Sequence, residues 1–321
     1  FWSCSIWWSI SFMVCSIVVF PCMSDPRSPW VKLRRNPAVV VSAVILFITA
    51  LAAILGPSLM PAGSGEVTRY SFLPPSAQHL LGTDLNGRDL LYRVLLGAQI
   101  SMLVGITGAL VSFAVGIVYG MVAGYVGGQT DSIMMRLVDT LYAIPRLIFV
   151  LVLISALDPL LRHAMATHGL QALIGYSKIL ILILCLGLTE WLTMARIVRG
   201  QILGLKTQQF VLAARSIGQS HLNIIFQHLL PNLVGLALVY LTLTVPAVIL
   251  DESFLSFLGV GVQAPLASWG LLLSDAAQVI NPVKGYWWLL VFPVIAMSLT
   301  LLALNFLGDG LRDALDPRQR K

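Results

Sequence analysis

The chain has 321 residues, of which 58% are hydrophobic and 11% charged, with a formal net charge of +6. Soluble domains carry about 25% charged residues, so this composition excludes a soluble globular protein and indicates an integral membrane protein. The positive balance is that of basic cytoplasmic loops, and no basic stretch interleaved with aromatics suggests nucleic-acid contact. The four cysteines, Cys4, Cys15, Cys22 and Cys185, form no CxxC and imply neither a disulfide nor a metal site.

Residues 1–22 are apolar and uncharged, long enough for the roughly 20 residues that cross a bilayer, and lack the positive n-region of a signal peptide. Met23-Ser24-Asp25-Pro26 reads like a natural start. The segment is therefore an extra helix, a cleaved targeting segment or an upstream extension. Residues 23–37 are polar and basic and form a cytoplasmic N-terminal segment. Pro37 suits the first turn of a helix, where its missing N–H costs nothing. Residues 38–55 form the first clear span, ended by Gly56-Pro57, and 38–97 comprise this span and a periplasmic loop. Within that loop GTDLNGRD (82–89) predicts a turn at Asn86-Gly87 and then a capped helix. A second span, 100–123, carries Gly105, Gly108, Gly116 and Gly120, small residues that let helix backbones approach closely in lipid.

A third span covers 144–157, followed by a polar loop, 158–177, with Arg162, His163 and His168. The fourth, 178–194, holds Glu190 near its cytoplasmic end, where Arg196 or water would pair with it. A fifth span, 230–250, is kinked or capped at Pro246. A long non-cytoplasmic loop, 251–285, leads to the last span, 286–307, opened by Tyr286, Trp287 and Trp288 as interfacial anchors. Counted from Met23 there are six spans, so both ends of the six-helix core share one side. On that side, segments 23–37, 125–146, 196–229 and 309–321 together carry +8; on the other, 61–97, 158–177 and 251–285 carry −2. The positive-inside rule places both termini of the core in the cytoplasm.

The stretch 210–231, FVLAARSIGQSHLNIIFQHLLP, then falls on the cytoplasmic face. Its paired alanines, Ala213 and Ala214, its Gly218 and its closing Leu230-Pro231 read as a helix–turn–helix made to be gripped by another protein. No GxxxxGK[ST] phosphate loop occurs, nor an HExxH or other metal-ligand spacing. Leu307-Gly308-Asp309 is similar to part of an intramembrane aspartyl protease motif, but Phe306 breaks the pattern and no partner YD pair occurs. Few ionisable residues lie within the spans, as expected of a pore powered by a separate ATPase rather than by ion coupling.

Several stretches carry a family resemblance: LLGTDLNGRDLLYRVLLGAQIS (80–101), GYVGGQTDSIMMRLVDTLYAIP (124–145), ARIVRGQIL (195–203) with FVLAARSIGQS (210–220) and HLLPN (228–232), LDESFLSFLGVGVQAPLASWGLLLSDA (250–276), and NFLGDGLRDALDP (305–317). In this order and spacing the sequence resembles the second permease subunit of bacterial dipeptide and oligopeptide ABC importers, over about residues 30–317. The resemblance implies an all-α, six-helix type I ABC importer transmembrane domain, with room for an extra N-terminal helix at 1–22 and a core at 98–321.

It also implies that the loop at about 199–231 is the family's EAA-type coupling loop. Ala213, Ala214, Gly218, Leu230 and Pro231 match its pattern, while Leu212 replaces the usual acid and His228 an isoleucine. By resemblance this loop docks on an ATPase subunit, with Arg215 available for a polar contact in place of the missing acid. Gly82, Thr83, Asp84, Gly87, Arg88 and Asp89 form a family motif on the periplasmic side. Asp251, Glu252, Trp269 and Asp275 are expected to face the binding protein. The implied partners are a second permease subunit forming a heterodimer, two ABC ATPase subunits, a periplasmic or lipid-anchored peptide-binding protein, and membrane lipid. The implied chain is non-catalytic and holds no cofactor, with ATP and Mg in the ATPase subunits. The same architecture would equally serve nickel chelates or another small solute.

Overall fold

The computed structural model describes residues 33–61, 63–279 and 285–315. Segment 1–22, expected as an extra helix or extension, lies outside the described residues, as does most of 23–37. Among the described residues the elements are helical, apart from an isolated bridge between Thr83 and Asp89. Six helices among the described residues are long and apolar enough to cross a membrane.

Helix α1 (Pro37–Leu59) starts where expected. Asn36 caps it by accepting the Ala38 N–H at 3.1 Å, and Pro37 occupies the first turn. Gly56-Pro57 does not end it; the helix runs on to Leu59. A proline this close to a C-terminus forfeits one backbone bond without blocking the turn that follows. Most of its large side chains, Phe47 and Ile54 among them, are exposed, which on a hydrophobic helix marks a lipid-facing surface.

Helix α2 (Leu90–Val126) extends beyond the expected span at both ends. At 1.5 Å per residue its 37 residues measure about 55 Å. It lies against α5 (Ser177–Leu205) at glycines: a Cβ on Gly116 would sit 2.5 Å from Met194 Cβ, and one on Gly187 would sit 2.7 Å from Val111 Cβ. Backbone-to-backbone approach of this kind supplies the van der Waals contact that holds helices together in lipid. Helices α2, α5 and α8 (Leu230–Phe257) form the centre, with Val104, Leu182, Leu186, Val248 and Leu255 buried between them.

The connection expected at 125–146 is itself largely helix. Helix α3 (Gly128–Ala143) packs along α2 and α5, burying Val138 among Trp191, Leu192 and Ala195. It breaks at Ile144-Pro145, and α4 (Arg146–Thr167) continues. Helix α4 absorbs the first ten residues of the expected 158–177 loop, where Arg162 pairs with Asp158 at 2.9 Å, and a 3₁₀ turn (Gln171–Tyr176) leads into α5. Helix α5 runs eleven residues past 194, so Arg196 and Arg199 are helical rather than in a loop.

Helices α6 (Gln209–Ser216) and α7 (His221–Asn223) follow, then a π-helical turn (Ile224–Leu229) that leads without interruption into α8. Helix α8 passes through Pro246 and continues to Phe257, so Asp251 and Glu252 are helical. The long loop after it folds back as α9 (Trp269–Val279), and α10 (Trp288–Leu315) closes the chain. Of the expected aromatic anchors, Trp287 is exposed, whereas Trp288 is buried in the cluster with Leu90 and Trp269.

Candidate functional site

Three polar assemblies stand out in this apolar bundle. The first is at the end bearing α6. The α6 helix buries Val211 and Ala214 among Ile202, Ile224, Leu229 and Leu233, and turns the other way Leu212, Ala213 and Arg215. Ala214 is thus small because its own chain lies against it; Ala213 faces outward. Gly218 ends α6 at φ +77° and a Cβ there would meet nothing within 4 Å, so the left-handed turn rather than crowding requires glycine. Ser220 then caps α7, accepting the Asn223 N–H at 3.3 Å.

Pro231 lies in the first turn of α8, with Leu230 half-buried. The π turn just before it widens the backbone ladder where the proline has no N–H to give. The expected helix–turn–helix is present, with its second arm continuous with a span. Leu212, Ile217, Leu222 and Phe226 stand exposed on it, Ile217 by 76%.

This element is tied to the helix ends beside it. Tyr125 Oη and His221 Nδ1 are 2.8 Å apart, and the Arg215 guanidinium lies 5.4 Å from the Tyr125 ring centroid. His228 bonds Gln219 at 2.9 Å. Lys206 donates to the Gly124 carbonyl at 2.9 Å, and Arg199 grips Asp131 with two bonds of 2.5 and 2.6 Å. That fork–fork bond, with smaller help from Arg199 and Lys206 charge, holds the Asp131 carboxyl below the usual carboxylate range.

The second assembly, at the opposite end, is built on the GTDLNGRD motif. Asp84 accepts the N–H groups of Asn86 and Arg88, each at 2.8 Å, and pairs with Arg93 at 2.8 Å. Arg93 also reaches Asp275 of α9 at 2.9 Å. Asp89 is the N-cap of α2, accepting from Leu91 and Tyr92, and it holds His79 at 2.9 Å. Thr83 is buried, donating to Tyr70 and accepting from Leu73. Gly82 and Gly87 take φ +85° and +71°, and a Cβ on either would strike the Leu73 or Thr68 carbonyl. Arg88 is half-buried. The expected turn and capped helix are present.

Glu252 lies beside this assembly and is fully buried, accepting from Ser101 at 2.9 Å and Ser256 at 2.7 Å. Ser101 in turn accepts the N–H of Trp269, also fully buried. Glu252 and Trp269 therefore cannot present themselves to a docking protein, contrary to expectation, because they pin the α8–α9 connection onto α2. Asp251 and Asp275 retain some exposure, but each is engaged by an arginine of this chain.

The third assembly was not expected. Arg146, at the break between α3 and α4, pairs with both Glu190 of α5 and Asp251 of α8. Glu190 is thus held by an arginine 44 positions away, while Arg196 pairs with Asp139 at 2.7 Å and covers the Tyr142 ring. The sequence signal was slight, a single arginine after Pro145 at the head of an apolar run. Arg146 also lines a cavity of about 300 Å³ with Tyr142, Phe149, Leu188, Leu192 and Thr193.

Six apolar helices among the described residues, with a folded helical element at one end, a capped loop assembly at the other and a charged cluster between them, define a multi-pass membrane protein. The family described as "Binding-protein-dependent transport system inner membrane component" matches residues 116–321, and "N-terminal TM domain of oligopeptide transport permease C" matches 27–75; the chain belongs to the binding-protein-dependent transport inner-membrane component family. It is 44% identical to the dipeptide transport system permease protein DppC of Bacillus subtilis over 305 residues, 94% of this chain and 88% of that one. It is 43% identical to the oligopeptide transport system permease protein OppC of Haemophilus influenzae, covering 92% of this chain and 91% of the relative. OppC of Escherichia coli is also 43% identical, at 92% and 93% coverage.

Proposed function

We propose that this chain is a permease subunit of an ATP-driven importer of di- and oligopeptides. In this reading it supplies half of a translocation pore completed by a second permease subunit. Two ATPase subunits bind ATP and Mg and hydrolyse ATP, and an extracytoplasmic binding protein delivers peptide. The relatives' names support the substrate class. With the mutually paired Arg146 and Asp251 set aside, the charge asymmetry of the connecting segments is +7 against −1 (from +8 and −2), which supports an α6 end that faces the cytoplasm.

The observation that carries the ATPase coupling is the exposed apolar crest of α6–α7, Leu212, Ile217, Leu222 and Phe226, on an element bonded to α2 through Tyr125 and His221 and packed on Ile202 of α5 and Leu233 of α8. Leu212 and Ile217 precede the apolar helix 221–257, and exposed apolar side chains outside a span favour a protein partner. Because α7 passes without interruption into α8, a push on the crest is delivered along the helix that carries Asp251. ATP-driven closure of the ATPase pair would move two such elements together and open the pore outward. With leucine at 212 in place of an acid, the grip rests on shape and apolar contact.

The test is Ile217→Asp in the complete complex. The variant inserts normally, loses co-purification of the ATPase subunits and loses uptake. Wild-type recovery of the ATPases together with normal uptake would overturn the coupling role. The substrate class is tested on the unaltered complex with its binding protein, which takes up peptides; uptake of nickel chelates and not of peptides would overturn it.

A further inference from the structure

Glu190 and Asp251 belong to two central helices, and Arg146 is brought between them by the broken α3–α4 pair. The level of this cluster follows from the packing along α2. Glu190 lies between Gly187, which touches Gly108 and Val111, and Met194, which touches Gly116. Asp251 neighbours Glu252, which bonds Ser101. The cluster therefore sits near the middle of the 37-residue α2, deep in the apolar part of the bundle. Ionisable groups at that depth are costly and persist where they serve transported polar groups.

Its geometry is open on one side. The Glu190 and Asp251 side chains are 10% and 15% exposed, but that of Arg146 is 41% exposed and forms part of the cavity wall. The start of α4 has no side-chain cap, and Pro145 before it has no N–H. The N–H groups of Arg146, Leu147 and Ile148 thus have no partner within the helix, at the end where Arg146 lines the cavity. A broken helix whose positive end meets a cavity at mid-membrane suits an anionic ligand group. Next to it, two carboxyl groups share one guanidinium, so the cluster holds one acid more than it has cations.

We propose that Arg146, Glu190 and Asp251 form a mid-membrane station for the two free termini of a transported dipeptide, whose ends are near enough to reach one cluster. Arg146 and the α4 N-terminus receive the α-carboxylate, and the acid it displaces from Arg146 receives the α-ammonium. The exchange replaces ion pairs with ion pairs, so no charge is left unpartnered at that depth. Tyr142, Phe149, Leu188 and Leu192 give the adjoining side chain an apolar wall without selecting its shape. This assignment rests on the peptide-importer reading.

The experiment uses the reconstituted complex with its binding protein. Arg146→Gln lowers peptide uptake per ATP hydrolysed by about tenfold or more, the scale of one lost charge-assisted hydrogen bond, and Arg146→Lys recovers part of it. The combination Arg146→Gln, Glu190→Gln and Asp251→Asn removes every charge at once, so no ion is stranded, and it still shows the defect. Wild-type uptake by either neutralised form would overturn the station and leave the cluster as a structural tie. On the unaltered complex, a peptide with a photoreactive C-terminal residue, irradiated during turnover, labels Phe149 or Leu192; no label on the α3–α5 segments while uptake proceeds would also overturn it. Failure of the peptide-importer reading looks different, since the wild-type complex then takes up no peptide at all.

Discussion

Arg93 and Arg146 are each held by two carboxylates from separate parts of the chain, yet the two triads are built to opposite ends. Arg93 is 3% exposed, and its partner Asp84 also ties down two backbone N–H groups of its own turn. Arg93 and Asp84 are closed in, Asp275 alone keeping 26% exposure, and the triad fixes α9 and the motif loop to the start of α2. Arg146 has the same count of partners, but its side chain is 41% exposed on a cavity wall beside an uncapped helix start. The number of ion pairs is the same, and accessibility separates a strut from a site. Burial of charge is expensive wherever it occurs, so the closed triad earns stability from geometry and the open one leaves capacity for a ligand.

That contrast is most directly broken by removing each arginine in turn. Arg93→Ala strands Asp84 and Asp275 and costs about 3–5 kcal/mol, the cost of an uncompensated buried charge; thermal unfolding and membrane yield both fall. Gly116→Leu should cost about 1–3 kcal/mol by overpacking α2 against Met194, and it should disturb Glu190, four residues away on α5, while leaving the Arg93 triad intact. Cysteine cross-linking between α2 and α5 measures the displacement. Arg146→Ala leaves Glu190 and Asp251, 10% and 15% exposed, beside a cavity that admits water, so it should cost less than Arg93→Ala, about 2–3 kcal/mol, while abolishing most uptake. Equal loss of stability from Arg93→Ala and Arg146→Ala would erase the distinction.

The smallest effect concerns Asp131, outside both triads. Its carboxyl is depressed in the folded chain by the Arg199 bonds, so this pair's contribution is complete above the ordinary carboxylate range. It is lost as pH falls through the lower folded value. Asp131→Asn should cost about 1 kcal/mol at neutral pH, with the difference from wild type shrinking in acid, as melting temperatures taken across acidic pH would show. An unchanged difference down to the most acid stable condition would mean that the carboxylate's charge contributes nothing.

Local chemistry was legible residue by residue. Asn36, Asp89 and Ser220 cap helices because a short polar side chain reaches the free N–H groups next to it in sequence. Gly218 turns the chain because its own φ requires it. Apolar content alone understates helix length in this chain. Arg196 and Arg199 continue α5, and Asp251 and Glu252 continue α8, since a helix does not stop where its surroundings become polar.

The sequence by itself determined six apolar spans after Met23, the uneven charge of the segments between them, the turn at Gly218 and the family. These follow from composition, short-range spacing and motif order. Tertiary structure alone decided which carboxylates are available. Glu252 and Asp251 are adjacent in sequence, yet one is sealed among serines and the other faces Arg146. Adjacent residues on a helix point about 100° apart, so their partners depend on how α8 is rotated against α2 and α4. That rotation is set by glycine contacts between helices far apart in the chain, as is the depth at which the break before Arg146 meets Glu190.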